Sequence, residues 1–110
     1  MKYALLIYGS HETGEPERQL DPKIAAVLER PSVADWARLQ SVESATTVRR
    51  RDGGRLLTDG PFLDTKEYLG GLVIVESDSL DGALAIAEDL QEQRPHVVIE
   101  VRPVLETAGA

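Results

Sequence analysis

The sequence predicts an α+β domain on a β-α-β-β-α-β plan, and three observations carry that prediction. Two short segments, Lys2 to Tyr8 and Leu69 to Glu76, are apolar at nearly every position, as strands covered on both faces are. Two others, opening at Asp21-Pro22 and at Asp78-Ser79, carry apolar residues at helical spacing behind capping side chains. Between them, Thr46 to Arg51 runs into the turn signal Asp52-Gly53-Gly54 and returns through Arg55 to Thr58, as a hairpin does. The chain of 110 residues fits one domain over residues 1–105, with 106–110 as a flexible tail.

Along the first strand, Tyr3, Leu5 and Ile7 point to one face and Ala4, Leu6 and Tyr8 to the other. Gly9 to Glu17 is a polar loop. Asp21 then caps a helix with Pro22 in its first turn, and Ile24, Val27 and Leu28 form its apolar stripe. Pro31 interrupts the pattern, and Ser32 is placed to cap a second short helix with Val33, Trp36 and Ala37 as its stripe. On this reading the first helical layer is kinked or split, and Trp36 is its core anchor. After the hairpin, Asp59-Gly60-Pro61-Phe62 is a further turn. Gly70-Gly71 either lets two backbones approach or forms a bulge. The last helix runs to about Gln93 on Leu80, Ala83, Leu84, Ala87 and Leu90, widened by Ile86, and Arg94-Pro95 ends it. Val97 to Arg102 closes the chain as a strand, with Val97, Ile99 and Val101 on one face.

This order of strand, helix, hairpin, strand, helix and strand is the split plan of the ferredoxin-like fold. Its first and third main strands lie at the sheet centre and its helices cover one face. Both central strands are nevertheless apolar on both sides. A second copy packed sheet against sheet is the simplest cover, so a homodimer is expected.

Composition narrows the setting. Hydrophobic residues make up 42% and charged residues 28%, an ordinary globular balance. The absence of cysteine points to the cytoplasm and excludes thiol nucleophiles, cysteine zinc sites and iron–sulfur clusters. The apolar start is too short to span a membrane and lacks a leader's cleavage region. A formal net charge of −7 argues against nucleic acid and against acidic membrane surfaces. It suits small molecules or a basic protein surface.

Asp59-Gly60-Pro61-Phe62, followed by Thr65-Lys66-Glu67 and Leu69-Gly70-Gly71, resembles the signature of the DGPF branch of the YCII-related family. The opening Met1 to Gly9, the stretch Ala45 to Arg49 and the ending Glu100 to Val104 resemble the same family, so the likeness spans nearly the whole chain. It implies a dimeric α+β barrel of ferredoxin-like protomers, with a pocket near the sheet, the first helix and the dimer interface. It also implies a His and Asp working pair in some relatives, and a regulatory setting beside extracytoplasmic-function sigma factors. The family often carries its His in a longer first helix. Asp21 to Gln40 holds none here, so that acid–base candidate has no counterpart.

Two readings stand for each candidate residue. Asp59 is a general base or a ligand for a substrate hydroxyl, or it caps its own turn. His11 replaces the missing helical His as a titrating group, or faces solvent in its loop. Tyr8 contacts substrate, or is a core or interface aromatic. Lys66 binds an anionic ligand, or forms an exposed charge pair with Glu67. Phe62 joins the substrate contacts through the same turn. His96, after Pro95, reads as a surface residue. Arg49, Arg50 and Arg51 alternate faces and make no single patch. No zinc-protease, dinucleotide or nucleophile-elbow motif is present, so no cofactor is expected. The function that follows is a small-molecule-binding protein or an enzyme of proton transfer or elimination. The alternative is a non-catalytic regulatory partner, linked to a sigma factor.

Overall fold

A computed structural model describes residues 1–10, 19–63 and 66–108. In chain order the elements are β1 (Lys2–Ser10), α1 (Pro22–Leu28), β2 (Val33–Arg38), a 3-10 turn (Val42–Ser44), β3 (Thr46–Arg51), β4 (Gly54–Asp59), β5 (Glu67–Glu76), α2 (Leu80–Gln93) and β6 (Val98–Pro103). The main sheet has the order β2-β5-β1-β6, with every neighbouring pair antiparallel. Each helical crossover therefore skips one strand, which is the ferredoxin-like arrangement. β1 and β5 take the centre, as their double-sided hydrophobicity requires.

Both helices begin where the caps predict. The Asp21 carboxylate accepts from the Lys23 backbone N–H at 2.8 Å, and the Ser79 hydroxyl from Gly82 at 3.4 Å. They pack on one face of the sheet. There Tyr3, Leu5, Val73 and Val75 meet Ile24, Val27 and Leu28 of α1 and Ala83, Ile86, Ala87 and Leu90 of α2. Arg30 Nη1 reaches Asp89 Oδ2 at 2.7 Å and links the two helical segments. No helix among the described residues is long and apolar enough to cross a membrane.

The second short helix expected after Pro31 is instead the edge strand β2, and the bulge in that strand explains the error. Val33 pairs with Val75 and Trp36 with Val73, with a register shift between Val33 and Asp35. In a regular strand, residues three apart face opposite ways. The extra residue of the bulge turns Val33 and Trp36 to the same side, and so imitates helical spacing. Trp36 is accordingly no core anchor of a helical layer: it lies on an edge strand with 42% of its surface exposed.

β2 also fills the place in the plan that the chain order gave to the hairpin. β3 and β4 form a separate two-stranded sheet. Their turn runs through Asp52 (φ 50°) and Gly53 (φ 79°), the paired left-handed conformation of a tight hairpin. Apart from the half-buried Thr47 this arm is exposed, including Val48 and Leu57, which face each other across it. Arg50 stands opposite Arg55, so the hairpin gathers two arginines that the linear sequence separated. At its base Thr47 Oγ1 donates to the Gly60 carbonyl at 2.8 Å, and the Arg49 guanidinium sits 4.8 Å from the Phe62 ring centroid.

On the face away from the helices lie Ala4, Leu6, Tyr8, Leu72 and Ile74, half-buried, with Val98 exposed beside them. The N-terminal ammonium donates to Glu76 Oε1 at 2.8 Å, and that hydrogen bond holds the Glu76 carboxyl below its ordinary value.

Candidate functional site

The antiparallel order brings one end of every main element together. β1 ends at Ser10 where β5 begins at Glu67, and Tyr8 lies opposite Val98 at the start of β6. Asp21 opens α1 and Arg94 closes α2 at this same end, on the helical side of the sheet. Between them lies a cleft of about 610 Å³.

Its floor is the sheet. Arg38, Gly71, Ile7 and Ile99 are cross-strand partners in one row, and Trp36 and Val73 form part of the next. Ile24 and Leu28 of α1 and Leu90 of α2 close one side, while Leu39 to Val42 close the other. Glycines hollow the floor. Gly70 is the extra residue of a bulge, since Ile7 pairs with Gly71 and Tyr8 with Leu69. Gly71 lets β2 come close: a Cβ there would stand 3.0 Å from the Ala37 carbonyl oxygen. Both readings of Gly70-Gly71 thus hold, one at each residue.

Polar groups also line the cleft, Gln40 and Ser41 after β2 at one edge of the sheet and Arg94 and His96 before β6 at the other, with Ser10, Asp21 and Tyr68 among the rest. The Asp21 carboxylate is already committed to capping α1. Arg94 Nη2 lies 3.4 Å from His96 Nε2. A guanidinium only donates, so this contact makes Nε2 the acceptor and leaves the ring proton on Nδ1. The arrangement is an apolar trough with donors, a phenol and an imidazole at its edge. It suits a small ligand held by its apolar body and oriented by a few hydrogen bonds.

The residues singled out by sequence do not converge on this cleft. Tyr8 pairs with Leu69 and Val98 on the uncovered face of the sheet. Asp59 closes the arm opposite Thr46, and Phe62 is 62% exposed beneath Arg49. Lys66 is exposed just before β5. None of these four lines the cleft. His11 follows the cleft residue Ser10 but lies outside the described residues. The residues that do meet there, Trp36, Arg38, Arg94 and His96, were missed or read as core and surface. Topology is the signal that finds them. In this strand order the last turn of α2, the segment before β6 and the end of β1 must share one end of the sheet.

Two comparisons with known proteins bear on the whole chain. A family model described as the YCII-related domain matches residues 1–108. An uncharacterised protein of Rhizobium meliloti (strain 1021) is 33% identical over 114 aligned residues, which cover 94% of this chain and 92% of that protein.

Proposed function

The chain belongs to the YCII-related family, and on that premise we propose that it binds a small molecule in the cleft between α1, β2 and the end of the sheet. The cleft itself carries the reading. Its volume of about 610 Å³ suits a metabolite, and its lining joins apolar side chains of the sheet and helices to a few hydrogen-bonding groups. If the site also catalyses, proton transfer is the chemistry its groups support. His96 supplies an imidazole and Tyr68 a phenol in the same lining. The Asp59-Gly60-Pro61-Phe62 turn supports placing the chain in the DGPF branch.

A thermal-shift screen against a few hundred metabolites tests this reading. A ligand at 100 times its Kd adds about 2.7 kcal/mol of stability. Gln40→Phe, which puts a ring into the mouth of the cleft, is expected to remove the shift without lowering the unliganded Tm. Hits that survive Gln40→Phe would place the ligand elsewhere.

We further propose that the protein works as a homodimer in the cytoplasm. The half-buried Ala4, Leu6, Tyr8, Leu72 and Ile74 support it, because the helices leave that face uncovered. In such a dimer Tyr8 is an interface aromatic. Asp59 and Phe62 then join a site only where the arm of one copy reaches the other.

A second reading, a regulatory protein that docks on a partner such as a sigma factor, has one observation in its favour. The arm presents Val48 and Leu57, both exposed, beside the Arg50–Arg55 pair. A pull-down with the intact chain against the arm variant Leu57→Ser tests it. A partner lost with that substitution supports docking, and no partner counts against it.

A further inference from the structure

We propose that the cleft receives a small amphipathic anion, its carboxylate or phosphate headgroup on Arg94 and His96 and its apolar body over the sheet floor. The assignment rests on the cleft being the ligand site and adds the ligand's charge.

Sign reversal is the first observation. The chain as a whole carries 19 acidic residues against 12 Lys and Arg. Around the cleft the formal balance inverts: Arg38 and Arg94 stand beside Asp21 among the described lining residues. The Asp21 carboxylate accepts the Lys23 N–H as the cap of α1, so part of its charge is already used. A cleft with apolar walls focuses the field of the cations it holds.

The second observation is how Arg94 is placed. It is the C-cap of α2, and its backbone N–H donates to the Gln91 carbonyl. An arginine at a helix end can turn its guanidinium to the last-turn carbonyls. Here the side chain instead meets His96 across the rim. No carboxylate among the described residues lies within ion-pair distance of it. Two nitrogen-bearing groups thus lie side by side at the mouth of an apolar trough, with the Arg94 fork and the His96 Nδ1–H as donors. A planar carboxylate accepts two parallel bonds from a guanidinium, and a phosphate monoester does the same. A neutral carbonyl accepts from the same donors more weakly, and a cationic headgroup is repelled by the guanidinium.

Calorimetry with phenylpropanoate, phenylpropanamide and phenylethyl phosphate tests the charge directly. The first two share a ring and chain and differ in the headgroup. A charge-assisted hydrogen bond predicts that the acid binds about 10- to 100-fold tighter than the amide. Arg94→Gln is expected to abolish that preference, and Arg94→Lys to keep part of it by retaining charge without the fork. Arg94 is exposed and caps α2 through its backbone, so both variants should melt with the wild type. The phosphate arm separates the two headgroup classes, with the tighter binder naming the class. Equal binding of acid and amide would overturn the anion assignment and leave the cleft as the ligand site. An acid preference unchanged in Arg94→Gln would overturn it as well. If neither probe binds, the anion assignment falls, and panel hits abolished by Gln40→Phe decide separately whether the cleft reading stands.

Discussion

Gly70→Ala and Gly71→Ala differ by one position along β5, and the packing gives them opposite signs. A Cβ on Gly70 would meet nothing closer than the Ile7 carbonyl oxygen at 3.9 Å, an ordinary contact. A Cβ on Gly71 would stand 3.0 Å from the Ala37 carbonyl oxygen and 3.9 Å from the Arg38 Cα. Both of those are backbone atoms of β2, so no side chain can swing aside. The edge strand must shift by a few tenths of an ångström. Overpacking of this kind costs about 1–3 kcal/mol. Loss of glycine freedom in the unfolded chain returns about 0.4–1 kcal/mol. At the middle of both ranges the net for Gly71→Ala is a loss of about 1.3 kcal/mol, or a Tm lower by about 5–8 °C for a domain of this size. Gly70→Ala keeps only the favourable part and should leave Tm unchanged or raise it by a few degrees, about 0–4 °C. Circular dichroism melts of the two variants beside wild type measure both. Because Arg38 and Leu39 line the cleft, Gly71→Ala should also weaken any ligand found there. A Gly71→Ala protein as stable as wild type, or a Gly70→Ala protein destabilised equally, would refute the close approach of β2 to β5.

Other outcomes follow from the same packing. Ile74→Asp places a charge on the uncovered sheet face, and native mass spectrometry should show the proposed dimer giving way to monomer while the helical signal in circular dichroism persists. Val48→Ser with Leu57→Ser should leave the melting temperature within a few degrees of wild type, since both side chains are exposed on the arm. Arg30→Ala should cost less than about 0.5 kcal/mol in a denaturant titration, because the pair with Asp89 is roughly two-fifths exposed and screened by water. Glu76 has its carboxyl held low by the N-terminal ammonium, so its contribution is present above the ordinary carboxylate value and lost as pH falls through the lowered one. The Tm of wild type should exceed that of Glu76→Gln near neutrality, and the two curves should meet in acid.

Elements whose signal is local were legible in the sequence. Asp21-Pro22 and Ser79 start their helices because a cap needs only its own turn. Asp52-Gly53 turns its hairpin for the same reason. The double-sided apolar strands foretold a central position and an open face. What misled was β2. Its assignment depends on pairing with β5, forty residues along the chain, and its bulge copied the spacing of a helix. The site was less legible than the fold. The motif residues drew attention to Asp59 and Phe62, which the structure places on the arm. The cleft is instead assembled from the ends of α2, β1 and β2, and no short stretch of sequence contains more than a part of it. His96 carries no local mark of its place, because the contact that defines it is with Arg94 across a proline.

Amide chemical shifts locate most directly where a ligand sits. Uniformly labelled protein would be titrated with the best hit of the metabolite panel while backbone amide signals are followed. A ligand in the cleft should give the largest shifts at Gly9, Leu39, Gly71, Arg94 and Val97, with the arm and the uncovered sheet face unchanged. Shifts confined to Val48, Leu57 and Gly60 on the arm, or to Leu6 and Ile74 on the open face, with the cleft silent, would contradict it.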